Sequence, residues 1–358
     1  MKPIRVLIVD DSALIRQMLS GLLQSDPEIE VVGVAPDPII ARERIKSLNP
    51  DVVTLDIDMP HMDGIAFLEK IMTLRPMPVV MVSSLTQRGA EISLQALEIG
   101  AVDCVAKPVL ENAQEQAQGL MALRDELIAK VKSAAGAKLR HSRRDEPRPR
   151  LSFTPGASAR NWVVAIGAST GGVEALNELL SALPENAPPI LVTQHMPRLF
   201  TAAFAQRLNR RCAVTVKEAE NGDPVEPGHV YIAPGGAHLE LSRADGKFIC
   251  RVSEGELVSG HCPSVDVLFG SVARVAGRQA VGVILTGMGK DGAAGLLSMR
   301  RAGARTIGEA EASCVVYGMP KAARQLDAVE AEFALSRIAP EIMTIFAGES
   351  STASCPTP

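Results

Sequence analysis

The segment VVAIGASTGGVE, residues 163–174, places a single serine in a glycine-rich turn. Its apolar run stops at Gly167, and Ser169 stands between Gly167 and Gly171, ahead of a helical pattern. Two phosphate-binding motifs do not fit. A dinucleotide-binding fingerprint requires glycine where Ser169 stands, and a P-loop requires lysine where Val173 stands. The pattern G-x-S-x-G between a strand and a helix is typical of a nucleophile elbow, in which small neighbours leave the serine hydroxyl exposed.

A nucleophilic serine requires a base and an acid that orients the base. His195 ends the apolar run ILVTQH and is predicted at the same sheet edge as Ser169, and His238, after YIAPGGA, is the alternative base. Asp291, in LTGMGKDG, is delivered by a third strand, and Asp266, in PSVDVLF, is the alternative acid. The order Ser, His, Asp differs from that of α/β-hydrolases, but geometry defines a triad, not chain order. Without a base, Ser169 would only cap the following helix.

A second set of reactive side chains lies at the ends of strands in the first third of the chain. Asp10 and Asp11 follow one apolar run, Asp56 ends another, Ser83 ends a third, and Lys107 follows a fourth. Three carboxylates in one crevice repel each other unless a divalent cation lies among them, and oxygen ligands favour Mg²⁺. A hydroxyl and an ammonium nearby could hold the oxygens of a phosphoryl group. Taken singly, each acid could instead only cap a loop.

The elements that position these residues alternate between strand and helix, which predicts parallel sheets. Five strand candidates occur before residue 110, as expected of a flavodoxin-like doubly wound sheet; they are 5–9, 31–35, 51–56, 78–83 and 101–106. A long helical pattern follows at about 111–135. A second α/β pattern begins at Trp162, with strand candidates VVAIGAS, PPILVTQH, HVYIAPGG, HLELS, KFICRVS and AVGVILTG, followed by helices.

Composition sets the domain boundaries and excludes several function classes. We expect a first domain at 1–135, a linker rich in Arg, Pro and Ser at 136–158, a second domain at 159–346 and a disordered tail at 347–358. The 358 residues carry a formal net charge of -4 and only 3% aromatic residues, which disfavours nucleic-acid binding. No apolar run is long enough to span a bilayer and no signal peptide is evident, so we expect a cytoplasmic protein without membrane insertion. The six cysteines form no C-x-x-C pair, which disfavours a metal or disulfide framework.

The first 125 residues resemble the receiver domain of two-component response regulators. The resemblance rests on the acidic pair, on the segment DMPHMDG after Asp56, and on the serine and lysine at strand ends. It implies that Asp56 accepts a phosphoryl group from a histidine kinase and that Asp10, Asp11, Asp56 and the backbone of Asp58 hold Mg²⁺. It also implies that Ser83 and Lys107 contact the phosphoryl group. Receivers often place an aromatic residue three positions before the lysine, where this chain has Cys104.

The second half resembles the catalytic domain of CheB-type chemotaxis protein-glutamate methylesterases. The motifs IGASTGG, QHM, YIAPGG, PSVDVLF and LTGMGKDG carry this resemblance over about 159–346. It implies Ser169 as nucleophile, His195 as general base, Asp291 as its orienting acid, and backbone donors around Met288 for the oxyanion. The family often has arginine before PSVD, where this chain has Cys262.

Together the two resemblances imply a phosphorylation-regulated serine hydrolase that needs no cofactor in the esterase site. Its substrates would be glutamyl methyl esters on cytoplasmic helices of chemoreceptors, and it would also deamidate receptor glutamines. The unmodified receiver would block the catalytic cleft until Asp56 is phosphorylated. The alternative function is that of a response regulator whose second domain only binds a ligand. The missing second glycine and P-loop lysine disfavour a nucleotide as that ligand.

Overall fold

The computed structural model describes residues 2–57, 59, 63–84, 86–107, 113–138 and 162–349. The chain divides into two compact units, Met1–Arg144 and Asp145–Pro358, and each has its own parallel sheet. Among the described residues, no helix has the length and apolar character needed to cross a membrane. Residues 139–158 of the expected linker lie outside the described ranges.

In its described residues, the first unit alternates five strands with five helices. In chain order they are β1 Ile4–Val9, α1 Ala13–Gln24, β2 Ile29–Ala35, α2 Pro38–Leu48, β3 Val52–Asp56, α3 Gly64–Leu74, β4 Val79–Ser83, α4 Gln87–Ile99, β5 Asp103–Ala106 and α5 Ala113–Ala135. The five strands are parallel and lie in the order β2-β1-β3-β4-β5. This order confirms the flavodoxin-like prediction.

Local sequence signals explain where the helices of the first unit begin. Ser12, Asp37 and Thr86 each precede a helix and accept a hydrogen bond from a backbone N–H in its first turn. The Ser12 N–H also donates to Asp10 Oδ1 at 2.9 Å, so the start of α1 lies against an acid at the sheet edge. Because β3 and β4 are buried along their whole length, their terminal polar residues can reach solvent only at that edge.

The second unit has a larger sheet and one separate hairpin. Its strands are β6 Val163–Ala168, β7 Ile190–Gln194, β8 Thr215–Glu218, β9 His229–Ile232, β10 His238–Ala244, β11 Lys247–Ser253, β12 Ala280–Ile284, β13 Arg305–Glu309 and β14 Ala331–Phe333. Its helices are α6 Gly172–Ser181, α7 Arg198–Asn209, α8 Val265–Val275, α9 Ala293–Arg301, α10 Met319–Gln325 and α11 Leu335–Glu349. Seven parallel strands lie in the order β14-β13-β12-β6-β7-β9-β8, and β10 pairs antiparallel with β11.

The prediction that only helices follow β12 was wrong. The segments RTIGE and AEF form β13 and β14, which extend the sheet at its edge. Both are short, and a charged end or a glycine breaks their apolar pattern, so they do not show the signal of a buried strand. The helix α11 runs to Glu349, three residues into the segment expected as a tail, and residues 350–358 lie outside the described ranges.

The strand β6 lies in the middle of the seven-stranded sheet. All of its residues are buried, with β12 on one side and β7 on the other. The chain leaves β6 toward β7 and later returns to the other side as β12. Ligands in open parallel sheets bind at the carboxyl ends of the strands where the strand order reverses. The loops that follow β12, β6 and β7 therefore form the edge at which a site is expected.

Candidate functional site

Three neighbouring strands deliver three polar residues to one edge of the larger sheet. Ser169 follows β6, His195 follows β7, and Asp291 lies in the loop after β12. The N–H of His195 donates to the carbonyl of Ala168 at 3.1 Å, and the N–H of Ser169 donates to the carbonyl of Thr286 at 3.0 Å. These backbone hydrogen bonds tie the three loops together.

Glycines and backbone hydrogen bonds shape the turn that carries Ser169. A methyl group at Gly167 would lie 2.2 Å from a Val265 side-chain carbon, and Gly171 adopts a left-handed φ of +79°. The Ser169 carbonyl accepts hydrogen bonds from the Gly172 N–H at 2.7 Å and from the Gln194 side chain at 2.9 Å. Ser169 itself has no positive φ, so the backbone strain of a nucleophile elbow is absent at the serine.

The alternative that Ser169 caps the following helix is excluded by geometry. The N-cap residue of α6 is Gly171, and no side chain accepts a hydrogen bond there. Ser169 therefore does not cap the helix. It is partly exposed at the end of β6. The first turn of α6 lies directly beyond it, where free backbone N–H groups favour negative charge.

His195 and Asp291 form a hydrogen-bonded pair. His195 Nε2 lies 2.7 Å from Asp291 Oδ2, and both side chains are buried. An ionised carboxylate can only accept, so Nε2 carries the proton and Nδ1 keeps its lone pair. Nδ1 is buried and makes no hydrogen bond with Ser169 or any other described residue. The imidazole therefore presents an unused acceptor beside the serine turn.

Asp291 is held by the start of a helix. In addition to His195, its carboxylate accepts hydrogen bonds from the Ser264 hydroxyl at 2.8 Å and from the Val265 and Asp266 N–H groups at 2.7 and 3.0 Å. The two backbone donors belong to the first turn of α8, where the helix dipole favours an anion. Burial alone would raise the pKa of Asp291, but the hydrogen bond from His195, the attraction to its ring when that ring is protonated, and the two backbone N–H groups hold that pKa below its ordinary value. Asp291 is therefore a carboxylate at neutral pH.

The two alternative residues have other partners. Asp266 accepts hydrogen bonds from the Gly295 N–H at 2.7 Å and from the Ser259 hydroxyl at 2.9 Å. Its side chain therefore stabilises the first turn of α9 and the loop between β11 and α8. Burial raises its pKa, as does the nearby charge of Asp291. His238 Nε2 donates to the Glu256 carbonyl at 2.9 Å, and its Nδ1 accepts from the Ser264 N–H at 3.2 Å. Both ring nitrogens of His238 therefore form hydrogen bonds with the loop between β11 and α8, and neither is available as a base in this structure.

The backbone just before Met288 lies beside the serine turn. A methyl group built on Gly287 would come within 2.7 Å of Ser169 Cβ, so the chain at Gly287, one residue before Met288, lies against Ser169. The Gly287 carbonyl accepts from the N–H groups of Gly318 and Met319, at 3.1 and 2.8 Å. These contacts fix the loop that carries the Met288 N–H.

The acidic cluster of the first unit also assembles. Each of Asp10, Asp11 and Asp56 offers one oxygen, and these oxygens lie within 4.8 Å of one another. Lys107 Nζ lies 2.9 Å from Asp10 Oδ2 and 2.8 Å from Asp56 Oδ1. Burial raises the pKa of Asp56 to about 6 although Lys107 opposes this shift. The pKa of Lys107 is raised by its two carboxylate partners against the effect of burial.

The donor set fits a hard divalent cation. Asp56 Oδ1 has Lys107 and the Ile57 N–H as partners, whereas Asp56 Oδ2 is buried without a hydrogen bond among the described residues. An unsatisfied buried carboxylate oxygen between two other acids suits Mg²⁺. Asp58, expected to complete the ligand set through its backbone, lies outside the described ranges.

The remaining receiver residues lie at the same edge of the smaller sheet. Ser83 is buried at the end of β4, and its Oγ donates to the Gly89 carbonyl at 3.3 Å. The Lys107 N–H donates to the Ser83 carbonyl at 2.6 Å, which joins the ends of β4 and β5. Cys104 is buried in β5, and burial raises the pKa of its thiol to about 12.

The sequence analysis did not identify three residues at the edge of the larger sheet that carries Ser169. Ser264 hydrogen-bonds to Asp291, Gln194 fixes the Ser169 carbonyl, and the His261 ring stacks on His195. The position of Ser264 before the helical run VDVLF was a signal for a helix cap. Its side chain nevertheless makes no capping bond to α8 and turns to Asp291.

Comparisons with known proteins match each of the two units to a known family. Residues 164–342 match the CheB methylesterase family, and residues 6–117 match the response regulator receiver domain family. A Caulobacter vibrioides protein named protein-glutamate methylesterase/protein-glutamine glutaminase 1 is 57% identical over 96% of this chain and 98% of its own length. A Bordetella parapertussis protein of the same activity name is 54% identical over 96% of this chain and 97% of its own length. The crystal structure of the Thermotoga maritima CheB methylesterase catalytic domain is 38% identical, with a TM-score of 0.51, and the match covers 51% of this chain and 98% of that one.

Proposed function

This chain belongs to the family of CheB-type protein-glutamate methylesterases/protein-glutamine glutaminases with a receiver domain, and on that basis we propose that Ser169, His195 and Asp291 are its catalytic triad. The observation that carries the proposal is the 2.7 Å contact between His195 and Asp291, which leaves His195 Nδ1 unpartnered beside the Ser169 turn. The substrates are the methylated glutamate side chains of chemoreceptor helices in the cytoplasm.

The proposed reaction begins with proton transfer from Ser169 Oγ to His195 Nδ1. The serine oxygen attacks the γ-carbonyl carbon of the glutamyl methyl ester, and Asp291 stabilises the imidazolium that forms. The Met288 N–H and the start of α6 supply hydrogen bonds and positive potential to the developing oxyanion. Methanol leaves with the proton from Nδ1, and water then cleaves the acyl-enzyme to glutamate by the same proton route. A glutamine substrate reacts in the same way and releases ammonia.

The proposed control of this activity lies in the first unit. Asp56 accepts a phosphoryl group from a histidine kinase, because its buried carboxylate lies close to the two other acids and has one oxygen without a hydrogen bond among the described residues. Mg²⁺, held by Asp10, Asp11 and Asp56, would neutralise the charge of the incoming phosphoryl group. Lys107 and Ser83 lie at the same edge and would hold the phosphoryl oxygens. Phosphorylation then raises the esterase activity of the second unit.

The proposal is tested by methanol release from receptor membranes that carry labelled methyl esters. Ser169→Ala should lower the rate by several orders of magnitude, because the acyl-enzyme cannot form. Ser298→Ala is the matched control, since Ser298 is an exposed serine on α9 whose hydroxyl bonds only within its own helix. Equal rates for Ser169→Ala and Ser298→Ala would remove Ser169 from the reaction. They would also favour the alternative of an output domain that only binds.

A further inference from the structure

A cavity of about 560 Å³ lies between α2 and α3 in the first unit. Its floor is made of buried apolar side chains, which are Pro38, Ile45, Phe67, Ile71 and Met77. Ile39 and Leu74 also line the cavity, and they are 68% and 75% exposed. Apolar surface that is both exposed and continuous with such a floor marks an interaction site. Neither the esterase reaction nor the phosphorylation proposed above uses this cavity.

The walls of the cavity are two helical faces of equal length. The lining residues span 38–46 on α2 and 67–75 on α3, and eight steps of about 1.5 Å give each wall a length of about 12 Å. Both helices connect parallel strands and therefore run in the same direction. Arg75 joins them at their carboxyl ends, where its guanidinium donates to the Ile45 carbonyl at 3.0 Å. The cavity is thus a groove about two helical turns long, which we call the α2–α3 groove.

The α2–α3 groove is positively charged along both walls. Arg42 and Lys46 line it on α2, and Lys70 and Arg75 line it on α3, whereas none of the described residues that line it is acidic. In the described part of the chain, the side chains of Arg42 and Lys46 form no ion pair or hydrogen bond. Interaction with the helix dipoles accounts for Lys46 and Arg75 at the carboxyl ends. It does not account for Arg42 and Lys70, which lie in the middle of their helices.

The charge of the groove indicates what kind of molecule fits it. Residues 139–161 of this chain contain six arginines and two acidic residues, and residues 350–358 contain no acidic residue, so neither segment complements the groove. A small amphiphile carries its charge at one end, whereas the cations here lie on both walls. A helix with an apolar stripe and carboxylates on both flanks matches these features, because the stripe would contact the floor and the acids would face the two walls.

We propose that the α2–α3 groove binds an acidic amphipathic helix of another protein. About two turns of that helix would lie in the groove, which is the length over which both walls are lined. Its Asp and Glu side chains would pair with Arg42 and Lys46 on one side and with Lys70 on the other. The inference does not depend on the proposed esterase function, because it concerns a binding surface of the first unit.

The test uses the full-length chain and a synthetic fluorescein-labelled peptide of about 15 residues, with leucines at the spacing i, i+4, i+7 and glutamates on both flanks. Fluorescence anisotropy should give a dissociation constant in the micromolar range, as for a small transient interface. Added salt should weaken the binding, because exposed charges are screened. A peptide of the same composition in scrambled order should bind at least about tenfold more weakly, since its leucines no longer share one face.

Charge reversal tests the role of the cations. Arg42→Glu combined with Lys46→Glu should weaken binding of the acidic peptide by about tenfold or more. The same variant should bind a peptide that carries lysine in place of each glutamate, which the wild-type chain should not bind. Lys2→Glu combined with Arg88→Glu is the matched control, because both residues are exposed, lie outside the groove and change the net charge by the same amount.

A second pair of variants tests the apolar contact. Leu74→Ser should weaken binding by about fivefold or more, because the leucine would be covered by the bound helix. Leu14→Ser is the matched control, since Leu14 is 67% exposed on α1 and does not line the groove. Circular dichroism and thermal unfolding report on folding, and Ile39→Ser takes the place of Leu74→Ser should that variant not fold.

Several results would overturn the proposal. They are the absence of micromolar binding, equal binding of the ordered and scrambled peptides, and equal effects of the groove variants and their controls. Sedimentation of the chain without peptide tests the remaining occupant. A dimer that the two charge reversals at Arg42 and Lys46 dissociate would place a second copy of this chain in the groove, and the proposal would fail.

Discussion

The charge on Asp291 is predicted to be essential, and Asp291→Asn tests it with little change in shape. The carboxylate accepts four hydrogen bonds, two at each oxygen. Asparagine has one accepting oxygen, and its amide nitrogen can only donate. With the oxygen turned toward His195 and the Val265 N–H, the amide can donate to the Ser264 hydroxyl. The Asp266 N–H then faces a second donor and loses its acceptor.

Two effects of different size follow from this geometry. A buried donor without a partner costs about 1 to 3 kcal/mol of stability, so the second unit should unfold at lower denaturant concentration. The loss of negative charge beside the imidazolium affects the reaction far more. The corresponding change in a serine protease lowers kcat by about 10⁴-fold, and we expect about 10³- to 10⁴-fold here, with KM little changed.

The pH dependence of the stability difference has a definite sign. Because the pKa of Asp291 is lowered in the folded state, its carboxylate stabilises the fold above the ordinary carboxyl value of 3.8. That contribution is lost as the pH falls through the folded pKa. The difference in unfolding free energy between wild type and Asp291→Asn should therefore shrink in acid.

The assay is methanol release, with Asp266→Asn as the matched control. Asp266 is the next carboxylate in space, yet its side chain contacts Gly295 and Ser259, not His195. Its variant should keep kcat within about tenfold of wild type. If Asp266→Asn loses three orders of magnitude while Asp291→Asn loses less than tenfold, the orienting acid has been assigned to the wrong residue.

Four further predictions concern the base and the receiver. His195→Ala should be nearly as damaging to methanol release as Ser169→Ala, and the double variant little worse, whereas an inactive His238→Ala beside a mild His195→Ala would contradict the assignment. Asp56→Asn should keep basal esterase activity but lose its response to acetyl phosphate. A fragment beginning at residue 159 should be faster than the unphosphorylated chain, and a slower fragment would contradict inhibition by the receiver. Burial raises the pKa of Asp56 to about 6, so without divalent cations the first unit should lose up to about 3 kcal/mol of stability as the pH rises from below 3.8 to well above 6. Calorimetry should show that Asp56→Asn removes this pH dependence. An unchanged pH dependence would place the titration at another group.

Much of the fold follows from the sequence because its strands are nearly continuous apolar runs. Strands buried on both faces, such as β3, β4 and β6, read as such runs, and their ends place Asp56, Ser83 and Ser169 at sheet edges. The strands β13 and β14, at one end of the sheet, are short and mixed in composition, so the same signal is lacking.

Within the site, only the residues at the ends of predicted strands can be located from the sequence. The positions of Ser169 and His195 at neighbouring strand ends follow from alternation of strands and helices. The choice between Asp291 and Asp266 does not, because both lie near helix starts, and only the fold decides which carboxylate meets His195. The stacking of His261 depends on a loop conformation for which the sequence carries no periodic signal.

The central claim is that Ser169 forms a covalent intermediate, and an active-site-directed fluorophosphonate tests it most directly. The probe reacts with serines that an adjacent base activates, and peptide mass mapping identifies the modified residue. We predict one adduct, on Ser169, whose formation is slowed by His195→Ala and accompanied by loss of methanol release in the same proportion. Stoichiometric labelling of a different residue, or full methanol release from enzyme labelled at Ser169, would contradict the account.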